Sequence, residues 1–76
     1  MRTWEEAIAA IIEGLIKARQ EKNISQRELE KLSGVRQPVI ARMESGVTSP
    51  QLETVLKILA PLGKTLYMGD LQQPPV

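Results

Sequence analysis

Near the start of the chain, Trp4, Ile8, Ile11, Ile12, Leu15 and Ala18 recur at helical spacing, which predicts a first helix from about Trp4 to Lys22. Thr3-Trp-Glu-Glu6 fits a capping box ahead of it, and Glu5 and Glu6 suit the positive end of the helix dipole. Asn23 tolerates the left-handed conformation and provides the stop. Ser25-Gln-Arg-Glu28 is a second capping box, opening a short helix through Leu29 and Leu32. Gly34 supplies a turn. A third helix runs from about Gln37 to Glu44, with Val39, Ile40 and Met43 facing inward and Gly46 ending it. Ser49-Pro50 reads as an N-cap followed by proline at the first helical position, starting a fourth helix with Leu52, Val55, Leu56 and Leu59 on one face. Pro61 and Gly63 close it.

Lys64-Thr-Leu-Tyr-Met68 alternates apolar and polar only loosely. Two readings stand open. It is a short strand, which by itself would be an unpaired edge for a partner or second copy to cover, or an ordered tail that packs its leucine and tyrosine on the helices. Residues 71–76, with Pro74 and Pro75, are expected to be a disordered tail, leaving residues 1–70 as one domain. There is no internal repeat and no phosphate-binding glycine loop.

The chain has 76 residues and a formal net charge of +1, so total charge does not announce a polyanionic partner. The distribution is more informative. Between Lys17 and Met43, seven basic residues (Lys17, Arg19, Lys22, Arg27, Lys31, Arg36, Arg42) outnumber Glu21, Glu28 and Glu30, giving +4, while the remainder carries −3. Such asymmetry puts a basic patch on one part of the surface. There is no cysteine and no histidine, which removes disulfides, thiolate metal sites and the commonest general base; no cofactor or metal is expected. With a single aspartate and no clustered carboxylates, the composition argues against an enzyme. No apolar run reaches the roughly 18 residues that a membrane helix needs, and the acidic start does not suit a secretion signal. A soluble cytoplasmic protein without a membrane partner is the expectation.

Two short helices joined by a glycine turn, with a helix before and another after, form the arrangement of a helix-turn-helix DNA-binding domain. From about Lys17 to Gly63 the chain resembles the Cro/repressor-type (XRE) helix-turn-helix family, on Ser25-Gln26, Leu29, Gly34-Val35, Gln37, Ile40, Glu44, Gly46 and Pro50 at that family's spacing. The resemblance implies an all-α, lambda-repressor-like domain of four to five helices, with the possible short C-terminal strand added. An α-helix fits the major groove, and its N-terminal half reaches base edges. Arg36, Gln37, Pro38, Ala41 and Arg42 are therefore the expected base-reading face: arginine for guanine, glutamine for adenine, proline for apolar contact, alanine keeping the face low.

Gln26 matches the family glutamine that contacts a phosphate, and Arg27 and Lys31 add charge along the backbone. The resemblance also pairs Arg19 with Glu44 as a structural ion pair that orients the third helix. One departure stands out: Glu30 occupies a place where the family often has alanine, so its side chain must tilt to solvent or pair with a base. Trp4 lies far from the motif and suits core or dimer packing.

Within the family, Ile24 to Leu66 resembles the small HigA-like antitoxins, on Gly34-Val-Arg-Gln-Pro-Val-Ile-Ala-Arg-Met-Glu44 and Leu59-Ala-Pro-Leu-Gly-Lys-Thr-Leu66. That likeness implies neutralisation of a RelE-like toxin and repression of the shared operon by a homodimer on a palindromic double-stranded operator. A stand-alone or phage-type repressor shares the same core motif. The rival from another class is a protein-interaction module with a vestigial DNA surface, using the Trp4 helix or the Lys64–Met68 segment.

Overall fold

The computed structural model describes residues 3–70, apart from the Thr3 side chain; the capping box expected at Thr3 and the 71–76 tail therefore lie outside the described residues. Four α-helices follow one another: α1 (Thr3–Glu21), α2 (Gln26–Ser33), α3 (Gln37–Glu44) and α4 (Leu52–Leu59), with a 3-10 turn at Ala60–Leu62. There is no strand among the described residues, and no helix among them is long and apolar enough to cross a membrane.

The helices converge on one core. Leu15, Leu29, Ile40, Met43, Ile58 and Leu62 are each at most 2% exposed, so every helix contributes at least one sealed side chain. Full burial of such groups contributes about 1.5–3 kcal/mol each. Ile24 and Leu29 hold the positions just before the α2 cap and four residues into the helix, and both join the core, as a hydrophobic staple does. Packing of α2 against α3 and α4, and of α1 against α3, holds the two short helices rigidly at a fixed angle. Helices of eight residues are marginal in isolation, so tertiary packing supplies most of their stability.

Several sequence expectations change here. Val39 is 45% exposed, not inward, because two helical turns bury only the narrow arc centred on Ile40 and Met43. On α4 the sealed stripe is Val55, Ile58 and Leu59, while Leu52 and Leu56 face outward. That helix also begins later than expected. Its N-cap is Gln51, without a side-chain cap bond, and Pro50 instead lies half-buried beside Ile8, Ile11 and Leu66. Trp4 is 66% exposed, so it is not a core residue of this chain. The Lys64–Met68 segment forms no strand in the single chain: Leu66 packs on the core as a tail would, but Tyr67 is 90% exposed. A lone strand has no ladder partner for its backbone, which accounts for the irregular path.

Candidate nucleic-acid interface

The entrance to α2 is set by local chemistry. Ser25 Oγ accepts from the Glu28 N–H at 3.0 Å, and Glu28 Oε1 accepts from the Ser25 N–H at 3.0 Å. These reciprocal bonds hold the Glu28 carboxyl below the usual carboxylate range, first through the Ser25 backbone N–H and then through its hydroxyl. At the other end of α2, Gly34 is left-handed at φ 78° and returns its N–H to the Glu30 carbonyl at 2.8 Å. The Ser33 hydroxyl donates to the Leu29 carbonyl and accepts from the Val35 N–H, tying the turn to the helix it leaves. The angle between α2 and α3 is thus fixed by named hydrogen bonds as well as by the core. Glu30, the departure from the family pattern, is half-buried.

Burial of Ile40 and Met43 turns the opposite side of α3 outward. Arg36, Pro38 and Arg42 are exposed, and Gln37 and Ala41 are half-buried beside them. Arg36 is the N-cap with extended backbone, so its side chain stands at the leading end of the helix. Pro38 sits in the first turn, where a missing N–H leaves no helical bond unmade. The row has two forked guanidinium donors, one amide with donor and acceptor, and two small apolar surfaces between them. That set can address guanine, adenine and the thymine methyl in a major groove. Arg27 and Lys31 on α2 are also exposed and extend the positive charge.

Behind this row lies a compact polar hub. Arg19 Nε donates to Glu44 Oε2 at 2.8 Å and Arg19 Nη2 to Glu44 Oε1 at 2.9 Å, a two-bond pair. Arg19 Nη1 donates to the Ile24 carbonyl at 2.8 Å. The two side chains are 13% and 8% exposed, so the pair is largely shielded from water. Gln26 joins the same carboxylate, its Nε2 donating to Glu44 Oε1 at 2.9 Å. One carboxylate therefore connects the end of α1, the start of α2 and the end of α3. The sequence does not reveal the Gln26–Glu44 bond, which joins residues in different helices where no periodicity links them. Gln26 keeps its amide oxygen and a second amide hydrogen for another partner.

Two short helices at a fixed angle, an outward polar row and a buried brace now stand together. Residues 15–67, well over half of the chain, match the family described as Helix-turn-helix. The chain belongs to that helix-turn-helix family. Over 63 residues it is 67% identical to an uncharacterized HTH-type transcriptional regulator of Haemophilus influenzae, covering 83% of this chain. This helix-turn-helix chain spans 64% of the length of that relative. Among solved structures, a toxin-antitoxin module from Streptococcus pneumoniae is similar with a TM-score of 0.76 and 60% identity, over 92% of this chain and 77% of the other.

Proposed function

We propose that this helix-turn-helix chain is a sequence-specific DNA-binding regulator and the antitoxin of a toxin–antitoxin pair, acting in the cytoplasm. It binds its operator as a homodimer, represses its own operon and captures a RelE-like toxin. The observation that carries the DNA reading is the outward row on α3, held against α1 and α2 through Glu44. Arg36, Gln37, Pro38, Ala41 and Arg42 read base edges, while Gln26, Arg27, Lys31 and the free N–H groups of the α2 N-terminus grip phosphates. The 60% identity to a toxin-antitoxin module supports the antitoxin half of the reading.

Base contacts and phosphate contacts do different work. Phosphate contacts give affinity that falls steeply with salt, and base contacts give the preference for one sequence. A homodimer sets two α3 helices about 34 Å apart on successive turns of one face of the duplex. The toxin half is tested by co-expressing the neighbouring gene's product with and without this chain. Growth arrest relieved by the chain, with co-purification of the two proteins, is the expected result. Arrest that the chain does not relieve removes the antitoxin role and leaves a stand-alone repressor.

A further inference from the structure

Glu30 is a charged side chain that the DNA reading leaves without a task. Its place follows from how the two short helices are buried. On α2, Leu29 is sealed, Gln26, Glu30 and Ser33 are half-buried, and Arg27, Glu28, Lys31 and Leu32 are exposed. On α3, Ile40 and Met43 are sealed, Gln37, Ala41 and Glu44 are half-buried, and Pro38, Val39 and Arg42 are exposed. Each half-buried set has the i, i+4, i+7 spacing of one helix side. The two sides face each other, because the Gln26–Glu44 bond joins them at one end and the turn through Gly34 brings Ser33 towards Gln37 at the other. Glu30 therefore lies midway along its side of α2, opposite Ala41 at the middle of the facing side of α3. Ala41 carries only a methyl group, which leaves room for the longer Glu30 side chain to run along α3 to Gln37, one turn away. Of the other polar groups on that side of α2, Gln26 is held at the far end of α3 by Glu44 and the Ser33 hydroxyl is engaged in the turn. The Glu30 carboxylate and the Gln37 amide have no hydrogen-bond partner among the described residues, so both are available when α3 meets DNA.

We propose that Glu30 is a positioning residue for base reading: with DNA bound, its carboxylate accepts one hydrogen of the Gln37 amide nitrogen and fixes which way that amide faces. An unheld amide turns either its nitrogen or its oxygen to a given base atom, so it tolerates several bases. To read adenine it must accept from N6 and donate to N7 at the same time. A carboxylate only accepts, so it holds the NH2 end of Gln37. The second amide hydrogen and the carbonyl oxygen are then left as a donor and an acceptor in fixed order, which matches the adjacent acceptor and donor of adenine. The charge on the carboxylate makes that bond stronger than one between two neutral groups. Glu30 touches no base itself; it acts through Gln37.

This inference rests on the DNA reading above and adds what orients one of its reading groups. The test titrates the full chain and its variants, by fluorescence anisotropy, against the native upstream duplex and against copies of it with one base pair replaced at a time. Gln37→Ala first marks the base pair that Gln37 reads, as the position where preference is lost. At that base pair Glu30→Ala is expected to reduce a preference of roughly tenfold or more to about twofold. Preference at the other base pairs is kept, and binding to a scrambled duplex is no weaker. Glu30→Gln, whose amide oxygen still accepts a hydrogen bond, retains most of the preference. Alanine favours a helix more than glutamate does, so both variants are expected to fold, and circular dichroism checks it. A Gln37→Ala variant that loses preference at no base pair overturns the base-reading role of Gln37 and this inference with it. Where Gln37→Ala does mark a base pair, three results overturn the positioning role and leave the DNA reading standing: Glu30→Ala keeps the preference there, Glu30→Ala weakens every base preference alike, or Glu30→Gln is no better than Glu30→Ala.

Discussion

Gln26 and Glu44 lie in different helices, yet the Gln26 amide donates to the Glu44 carboxylate at 2.9 Å, on an oxygen that also accepts from Arg19 Nη2 at 2.9 Å. The residue proposed to grip a DNA phosphate is thereby held by the residue that ends α3. The N-terminus of α2 and the outward row of α3 are mechanically one unit. A largely buried carboxylate that accepts three hydrogen bonds has little freedom to turn, so on the proposed reading the register between phosphate and base contacts is set before DNA arrives.

The same hub governs stability. Glu44→Ala leaves the Arg19 guanidinium largely buried without its carboxylate, and a stability loss of about 3–5 kcal/mol is expected. Arg19→Met with Glu44→Leu removes both charges and costs far less, because no stranded charge remains. Urea unfolding of the single and double variants checks this. A loss under about 1 kcal/mol for Glu44→Ala would mean that solvent already screens the pair.

Reading and gripping separate by mutation. Gln37→Ala with Arg42→Ala is expected to lose about 1–3 kcal/mol of discrimination per base contact, with the circular dichroism of the free protein unchanged. Lys31→Ala weakens binding to all sequences alike and lowers the salt slope by about one. Titrations against operator and scrambled duplexes at several salt concentrations measure both. A double variant that keeps its full sequence preference would move the reading face elsewhere.

Gly34 carries the turn with its left-handed backbone, and a Cβ built there meets nothing within 4 Å. The cost of Gly34→Ala is therefore conformational, about 1–2 kcal/mol, and Gly34→Asn is milder because asparagine visits that region more readily. Thermal unfolding of the two variants gives the order. Equal losses for alanine and asparagine would point to a cause other than backbone conformation.

Acid loosens the start of α2. The Glu28 carboxyl is held low by the Ser25 backbone N–H and hydroxyl, so the unfolded chain takes up that proton at a higher pH than the folded one. Its stabilising contribution is complete above the ordinary glutamate pKa of about 4.3 and fades as pH falls through the lowered folded value. Glu28→Gln carries no such titration. The stability difference between the parent chain and Glu28→Gln should shrink on acidification below about pH 4; a difference independent of pH would remove the capping box as its source.

Much of this arrangement was legible in the residues, and the failures have definite causes. The α2 capping box and its glycine stop are short-range patterns, and α3 was bounded correctly at Gln37 and Glu44 because proline and glycine punctuate it. Which apolar residues are sealed was less legible. Val39, Leu52 and Leu56 look like core residues in a helical pattern, but their burial depends on where neighbouring helices stand. Ser49-Pro50 carries a helix-start signal that the fold does not use: Pro50 is half-buried at a groove it lines together with Ile8 and Ile11, and α4 starts at Leu52. At the site, the outward row followed from the inward one. The Arg19–Glu44 pair entered only through the family resemblance, and the Gln26–Glu44 bond not at all, because contacts between helices leave no trace in local spacing.

The most direct test of the DNA-binding account is fluorescence anisotropy on the duplex immediately upstream of the protein's own gene, against a scrambled duplex, at low and moderate salt. The account predicts tight binding to the native sequence that survives moderate salt, at least about a thousandfold tighter than to the scramble. Equal binding to both duplexes, abolished by salt, would contradict it and leave only a basic patch.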